Sequence, residues 1–275
     1  ENPGEVLAYA LTLGYLDQVK IDNMTLQTEE LKGQRAHAQQ HAHRPSWAGS
    51  DIPTDVHGDI GIIAVAAGEG LANALLSMGA NLIVMGGQTM NPSTEDLLQA
   101  VEALPTENVI ILPNNKNIIL AANQVLELTE KSVRVVPSKS LPGGLTSLTA
   151  YSLTNDLDEN AAEMTAALAD VSCIEITTAV RDVELNGVDV KEGQLIGLVN
   201  GDLIAAGAEL EEIVRSTMST LQDREPELLT VFTGEDATIR ATDILRDAAV
   251  DMYPDAEIEV IEGNQPHYHF IIAVE

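Results

Sequence analysis

Four short apolar runs, each ending in a polar or glycine-bearing turn and spaced by helix-like stretches, constrain this chain more than any other feature. Ile60–Ala66 runs into Gly68-Glu69-Gly70 and an apolar-periodic stretch from Leu71 to Met78. Asn81–Met85 is followed by Gly86-Gly87-Gln88-Thr89-Met90, then by a helical pattern that begins near Asn91-Pro92-Ser93-Thr94 and reaches about Ala103. Val109–Leu112 meets Pro113-Asn114-Asn115-Lys116-Asn117 before the helical Ile118–Leu128, and Val133–Val136 ends at Pro137-Ser138-Lys139-Ser140. Continuous apolar strands separated by amphipathic helices are what a parallel sheet covered on both faces requires. Right-handed crossovers then gather the strand-end loops on one edge, where open α/β sheets hold ligands or partners.

Beyond Gly143-Gly144 the pattern changes. A helix is expected near Asp158–Ala169, followed by strands at Cys173–Val180, Asp182–Leu185, Gly193–Val199 and Leu203–Ala206, with Asn-Gly turns at 186–187 and 200–201. Asn-Gly between short strands signals hairpins. Helices around Leu210–Leu221 and Asp236–Ala248 alternate with strands at Leu228–Thr233, Ile258–Ile261 and Tyr268–Val274. This gives a parallel α/β lobe over residues 56–145 and a mixed α/β lobe over 146–275. Ahead of them, residues 33–55 are rich in Gln, Ala, His, Pro, Ser and Gly and read as a linker. Residues 1–32 hold a helix at Val6–Leu13 and a strand at Gln18–Ile21, too little for a core of their own, so the chain reads as a piece of something longer.

With 43 acidic against 14 basic residues and a net charge of −29, the chain repels phosphodiester backbones and anionic membrane surfaces. Nucleic acid is not an expected partner. Neither a signal peptide nor an apolar run long enough to span a membrane is visible, so a cytoplasmic location is expected. The single Cys173 sits in an apolar strand with no basic neighbour to activate it and reads as core.

The strand-end loops are the candidate binding residues: Gly68, Glu69 and Gly70; Gly87, Gln88, Thr89, Asn91, Ser93 and Thr94; and Asn114, Asn115, Lys116 and Asn117. Glycines let the backbone turn tightly, Pro92 pre-sets the first helical φ behind an Asn cap, and free amides at such a terminus attract anions. Glu95 and Asp96 in the same first turn favour capping over phosphate binding. Gly68-Glu69-Gly70 falls short of a dinucleotide fingerprint, and no stretch supplies a P-loop. His37, His41 and His43 lie in the linker without further ligands, and His267 and His269 are two alternating strand residues, too few for a metal. No catalytic set stands out and no metal is expected.

The runs Ile62–Gly70 (IIAVAAGEG), Gly86–Leu97 (GGQTMNPSTEDL), Val109–Ala122 (VIILPNNKNIILAA) and Val133–Ser138 (VRVVPS), with Ala179–Asp182, Gly193–Gly197 and Gly263–Pro266, resemble the C-terminal region of fatty acid kinase A, the YloV-like, dihydroxyacetone kinase-related family. The resemblance implies a two-lobed fold like that of DegV and dihydroxyacetone kinase, and makes residues 1–32 the end of that family's middle domain. It also implies that ATP and magnesium belong to an N-terminal kinase domain, that functionally important histidines precede Glu1-Asn2-Pro3-Gly4, and that this stretch alone is inactive with no cofactor of its own. The implied partners are the fatty-acid-binding protein whose acyl carboxylate is phosphorylated and the kinase's own N-terminal domain, with a homodimer as a further expectation. The leading reading is therefore a docking module for acyl phosphate formation in phospholipid metabolism. The alternative is a small-molecule domain, with a dihydroxyacetone-like or lipid site in the cleft between the lobes; His57 is the histidine nearest the first lobe that covalent dihydroxyacetone binding would need.

Overall fold

The computed structural model describes residues 56, 58–86, 91–185 and 188–275, within the compact unit Pro45–Glu275. The elements expected in residues 1–32, the linker, Gly87–Thr89, the Asn186-Gly187 turn and the four histidines His37, His41, His43 and His57 lie outside them.

Strands β1 (Ile60–Ala66), β2 (Leu82–Met85), β3 (Asn108–Leu112) and β4 (Ser132–Val135) form one sheet in the order β2-β1-β3-β4. Every pairing in it is parallel. Successive side chains on a strand point to opposite faces, and both faces here are apolar. Ile60, Ile62, Ala64, Ile110 and Leu112 enter one buried cluster, whereas Ile63, Val65, Val109 and Ile111 enter another. Helices α2 (Thr94–Ala103) and α3 (Ile119–Val125) cover the second face through Leu97, Val101, Ala122 and Val125. Helix α1 (Glu69–Ser77) covers the first through Leu71 and Leu75.

A helix absent from the sequence reading follows β4: α4 (Leu141–Thr149). Its sequence, LPGGLTSLT, reads as a breaker because proline and two glycines disfavour helix interiors. Pro142, however, stands in the first turn, where its missing N–H costs nothing. Ser140 caps the helix by accepting from the Gly143 N–H at 3.2 Å. Helix α5 (Leu157–Ala167) is fixed by a reciprocal capping box between Asp156 and Glu159.

The second lobe contains β5 (Ser172–Thr178), β6 (Val183–Leu185), β7 (Val188–Val190), β8 (Leu195–Val199), β9 (Asp202–Gly207), α6 (Leu210–Ser219), β10 (Leu228–Thr233), α7 (Ile239–Met252), β11 (Glu257–Glu262) and β12 (Tyr268–Val274). Six strands form a mixed sheet in the order β11-β10-β12-β5-β8-β9, and β6 and β7 make a separate hairpin. Asn200 and Gly201 both adopt positive φ, at 52° and 87°, as an Asn-Gly turn between β8 and β9 requires. One face of the sheet packs Ile174, Ile176, Val231 and Ile272 on α6 and α7. The other sends Cys173, Phe232 and Ile271 into the cluster that β1 and α1 occupy. The two sheets thus share a central apolar layer, and the chain is a mixed α/β fold with a parallel lobe followed by a mixed one. No helix among the described residues is long and apolar enough to cross a membrane.

Candidate functional site

From β1 the chain turns to β2 on one side, then returns to β3 on the other, which places the topological switch point at the carboxyl ends of β1 and β3. Crevices at such points are where open α/β sheets bind. The predicted loops after β1 and β3 converge there, and they are already engaged by the protein itself.

After β1, Gly68 adopts φ 113° and no side chain caps α1. The cap is the Gly263 carbonyl of the second lobe, which accepts from the Gly70 and Leu71 amides at 3.1 and 3.3 Å. A Cβ on Gly70 would stand 1.8 Å from the Glu262 carbonyl oxygen, and one on Gly68 would stand 2.7 Å from that of Gly263. The glycines therefore permit contact between lobes, and the Gly70 and Leu71 amides, which could otherwise hold an anion, are occupied. Glu69 remains exposed.

After β3, Asn114 takes a left-handed φ of 54°, a conformation Asn tolerates better than most residues. Its side chain spans three elements. Nδ2 donates to the Val65 carbonyl of β1 at 3.0 Å, and Oδ1 accepts from the Ser138 hydroxyl beyond β4 at 2.7 Å. Gly144 of α4 approaches so closely that a Cβ there would stand 2.0 Å from Asn114 Oδ1. Asn115 Oδ1 accepts from the Asn117 amide at 2.9 Å, a local turn. Lys116 and Asn117 face solvent.

Strand β2 is an outer edge of the sheet, and the described residues Asn91–Ser93 lead into α2. Asn91 and Ser93 are exposed, Ser93 and Asp96 form a capping box, and the Thr94 hydroxyl donates to Gln124 Oε1 of α3 at 2.8 Å. Hence the β1 loop joins lobe two through Gly263, the β3 loop joins β1, the end of β4 and α4 through Asn114, and Asn91–Thr94 lies beside α3.

The facing surface of lobe two supplies residues that sequence reasoning missed. Glu175 lies on the face of β5 turned toward the first lobe, paired with Ile271 and Leu198. Burial pushes its carboxyl pKa up, while the Lys116 charge and a hydrogen bond from Tyr268 oppose that. One glutamate in the otherwise uncharged strand SCIEITT was the available signal. Cys173, read from the sequence as core, is buried, and its thiol is pushed well up by burial, then by Glu175, against a hydrogen bond with Ser140. Gln265 is buried; its Nε2 donates to the Phe232 carbonyl at 3.0 Å and its Oε1 has no partner.

The histidines of lobe two do not alternate on a regular strand as expected. His267 precedes β12 at φ 71°, and the β12–β5 register slips between Tyr268 and Phe270. Its carbonyl accepts from the Thr177 hydroxyl at 2.6 Å, and His269 Nε2 lies 2.9 Å from Thr178 Oγ1. No group of three or more metal-ligating side chains occurs among the described residues. A polar pocket of about 480 Å³ lies at the opposite, amino end of the first sheet, lined by Asp59, Asn108, Arg134, Tyr151 and Asp158 among others. The Tyr151 hydroxyl pKa there is raised by burial, then by Asp59.

These features define a two-lobed protein of the DegV and dihydroxyacetone kinase fold. Dihydroxyacetone kinase from C. freundii superposes with a TM-score of 0.56 at 12% identity, covering 94% of this chain and 57% of that one. A fatty-acid-binding DegV family protein from Thermus thermophilus superposes at 0.54 and 12% identity, covering 79% and 99%. The FakA-like C-terminal family, that of the fatty acid kinase A-like proteins, matches residues 61–275, and the chain belongs to it. Protein YloV of Bacillus subtilis is 34% identical over all 275 residues, which make up 48% of its length. The chain thus spans about half the length of the curated relatives it matches.

Proposed function

We propose that this chain is the partner-docking portion of a fatty acid kinase A-like protein, and that the carboxyl edge of its first sheet meets a fatty-acid-binding protein whose acyl carboxylate is phosphorylated elsewhere in the kinase. The observation that carries the reading is the self-satisfied switch point. The Gly263 carbonyl takes the Gly70 and Leu71 amides and Asn114 is tied to Val65 and Ser138, so among the described residues the loops after β1 and β3 offer surface groups such as Lys116 and Asn117 and no open phosphate cradle. ATP and magnesium are assigned in this reading to a domain outside these residues. The similarity to dihydroxyacetone kinase and DegV proteins concerns the fold alone and by itself assigns no chemistry.

A lipid site between the lobes is the competing occupant. The layer there is filled by Leu71, Leu75, Leu148, Met164, Phe232 and Ile271, all buried, which favours docking. Thermal shift with fatty acids and with dihydroxyacetone separates the two, since a ligand that binds only the folded state raises its stability. No shift is expected with either; a rise that saturates with fatty acid would replace docking with lipid binding.

A further inference from the structure

Helix α7 turns its buried side chains, Leu245, Ala248 and Ala249, against the second sheet. At about 3.6 residues per turn, Ile239, Asp243, Arg246 and Val250 fall on one line along the opposite side of the helix. All four are exposed, and the apolar residues at its two ends are exposed by 84% and 52%. The line faces away from the first lobe, because α7 covers the sheet face of Ile174 and Ile272 and not the face that meets β1 and α1.

The order along the line, apolar, acidic, basic, apolar, is complementary to its own reverse. Ile239 and Val250 stand equally far from the point between Ile244 and Leu245, and so do Asp243 and Arg246. Two copies of α7 laid antiparallel about a two-fold axis therefore place each Ile239 on the Val250 of the other copy and each Asp243 opposite its Arg246. A two-fold contact requires such self-complementarity. Arg240 and Asp247 flank the line on one side, so this face balances its charges within a chain of net charge −29. Among the described residues none of Arg240, Asp243, Arg246 and Asp247 takes part in an ion pair, although Asp243 and Arg246 stand one turn apart. Asp251, beside the line, is instead held by Arg215 of α6 at 2.7 Å.

We propose that this face of α7 is the surface through which two copies of the chain associate. A second copy is the occupant that fits, since its own line supplies a base opposite Asp243, an acid opposite Arg246 and an apolar residue opposite each exposed end. Repulsion between the two acidic chains is screened beyond about 8 Å at physiological ionic strength, whereas the groups in contact are matched. A 14-residue helix is about 21 Å long, so one helix pair falls short of the roughly 1,200–2,000 Å² that a tight complex buries. The dimer is therefore reversible and depends on concentration. The proposal does not rest on the docking reading, since α7 lies on the side of the second sheet turned away from the first lobe.

The test is sedimentation velocity of the full chain over a concentration series at about 0.15 M ionic strength. The unaltered chain should pass from monomer to dimer as concentration rises. Asp243→Arg and Arg246→Asp each set like charges opposite one another twice per dimer, and each should weaken association about ten-fold, the scale of two exposed ion pairs. Mixing the two variants should restore it, because every charge pair across the contact is then opposite in sign. A fold defect in either variant would not be cured by mixing. Ile239→Glu, at an exposed position, should abolish the dimer while leaving the circular dichroism spectrum unchanged. An unaltered chain that stays monomeric at the highest concentration reached, a dimer that survives Ile239→Glu, or a mixture no tighter than the separate variants would overturn the proposal.

Discussion

At Glu175, burial raises the carboxyl pKa above its unfolded value, and that direction fixes how stability varies with pH. Such a group adds to stability while protonated; its contribution is complete below the unfolded pKa and is lost as pH rises through the folded one. Over that window the unfolding midpoint of the unaltered chain should fall relative to that of Glu175→Gln, with the two curves diverging as pH rises. Parallel curves would contradict the burial argument. Gly70 makes a steric prediction. An alanine methyl would stand 1.8 Å from the Glu262 carbonyl oxygen, a backbone atom that cannot swing aside, so Gly70→Ala should cost about 3 kcal/mol in a urea titration. That Gly68 and Gly70 are needed was legible in the sequence, as turn glycines. The reason was not, because the obstructing backbone lies at the far end of the chain.

Among the elements, the strands of the first sheet were legible because both faces are buried, and an unbroken apolar run is then the only pattern the strand can show. Helix α4 was not. Its glycines look like a break until Asn114 is placed against Gly144 and Ser140 against Gly143. The Ser140 cap is local, whereas the Asn114–Gly144 contact depends on long-range packing that overrides propensity. Asn114 was visible as part of a polar cluster, yet its task of joining β1, the β4 end and α4 depends on which strands neighbour one another. Asn114→Ala should leave the Val65 carbonyl and the Ser138 hydroxyl short of a partner and cost about 1–3 kcal/mol. Ser93→Ala, which removes one half of an exposed capping box, should cost about 1 kcal/mol. Denaturant titration of the two variants checks the order; an equal or reversed cost would show that the Asn114 contacts are not holding the switch point.

Across the whole molecule, one buried layer draws on both sheets, from Ile62 and Leu75 on one side to Phe232 and Ile271 on the other. Leu75→Ala, at a side chain with 0% exposure, should cost about 2–5 kcal/mol and loosen the strands of both lobes. Hydrogen exchange should show faster exchange in β3 and in β12 alike, and loss confined to β3 would mean that the lobes are separately stable. The two-lobed plan could be read from the change in pattern after Gly143-Gly144, but the continuity of this layer could not, since it depends on which face of the second sheet turns inward. The same continuity places the Lys116 ammonium over the β8–β9 turn of the second lobe, 3.9 Å from where a Cβ on Gly201 would stand, and ties the proposed docking role to the intact fold. That role is tested most directly by calorimetric titration of the full chain with an acyl-loaded fatty-acid-binding protein, with ATP and magnesium as the parallel titrant. Saturable binding of the protein without binding of ATP is the predicted result, and binding of ATP with none of the protein would contradict it.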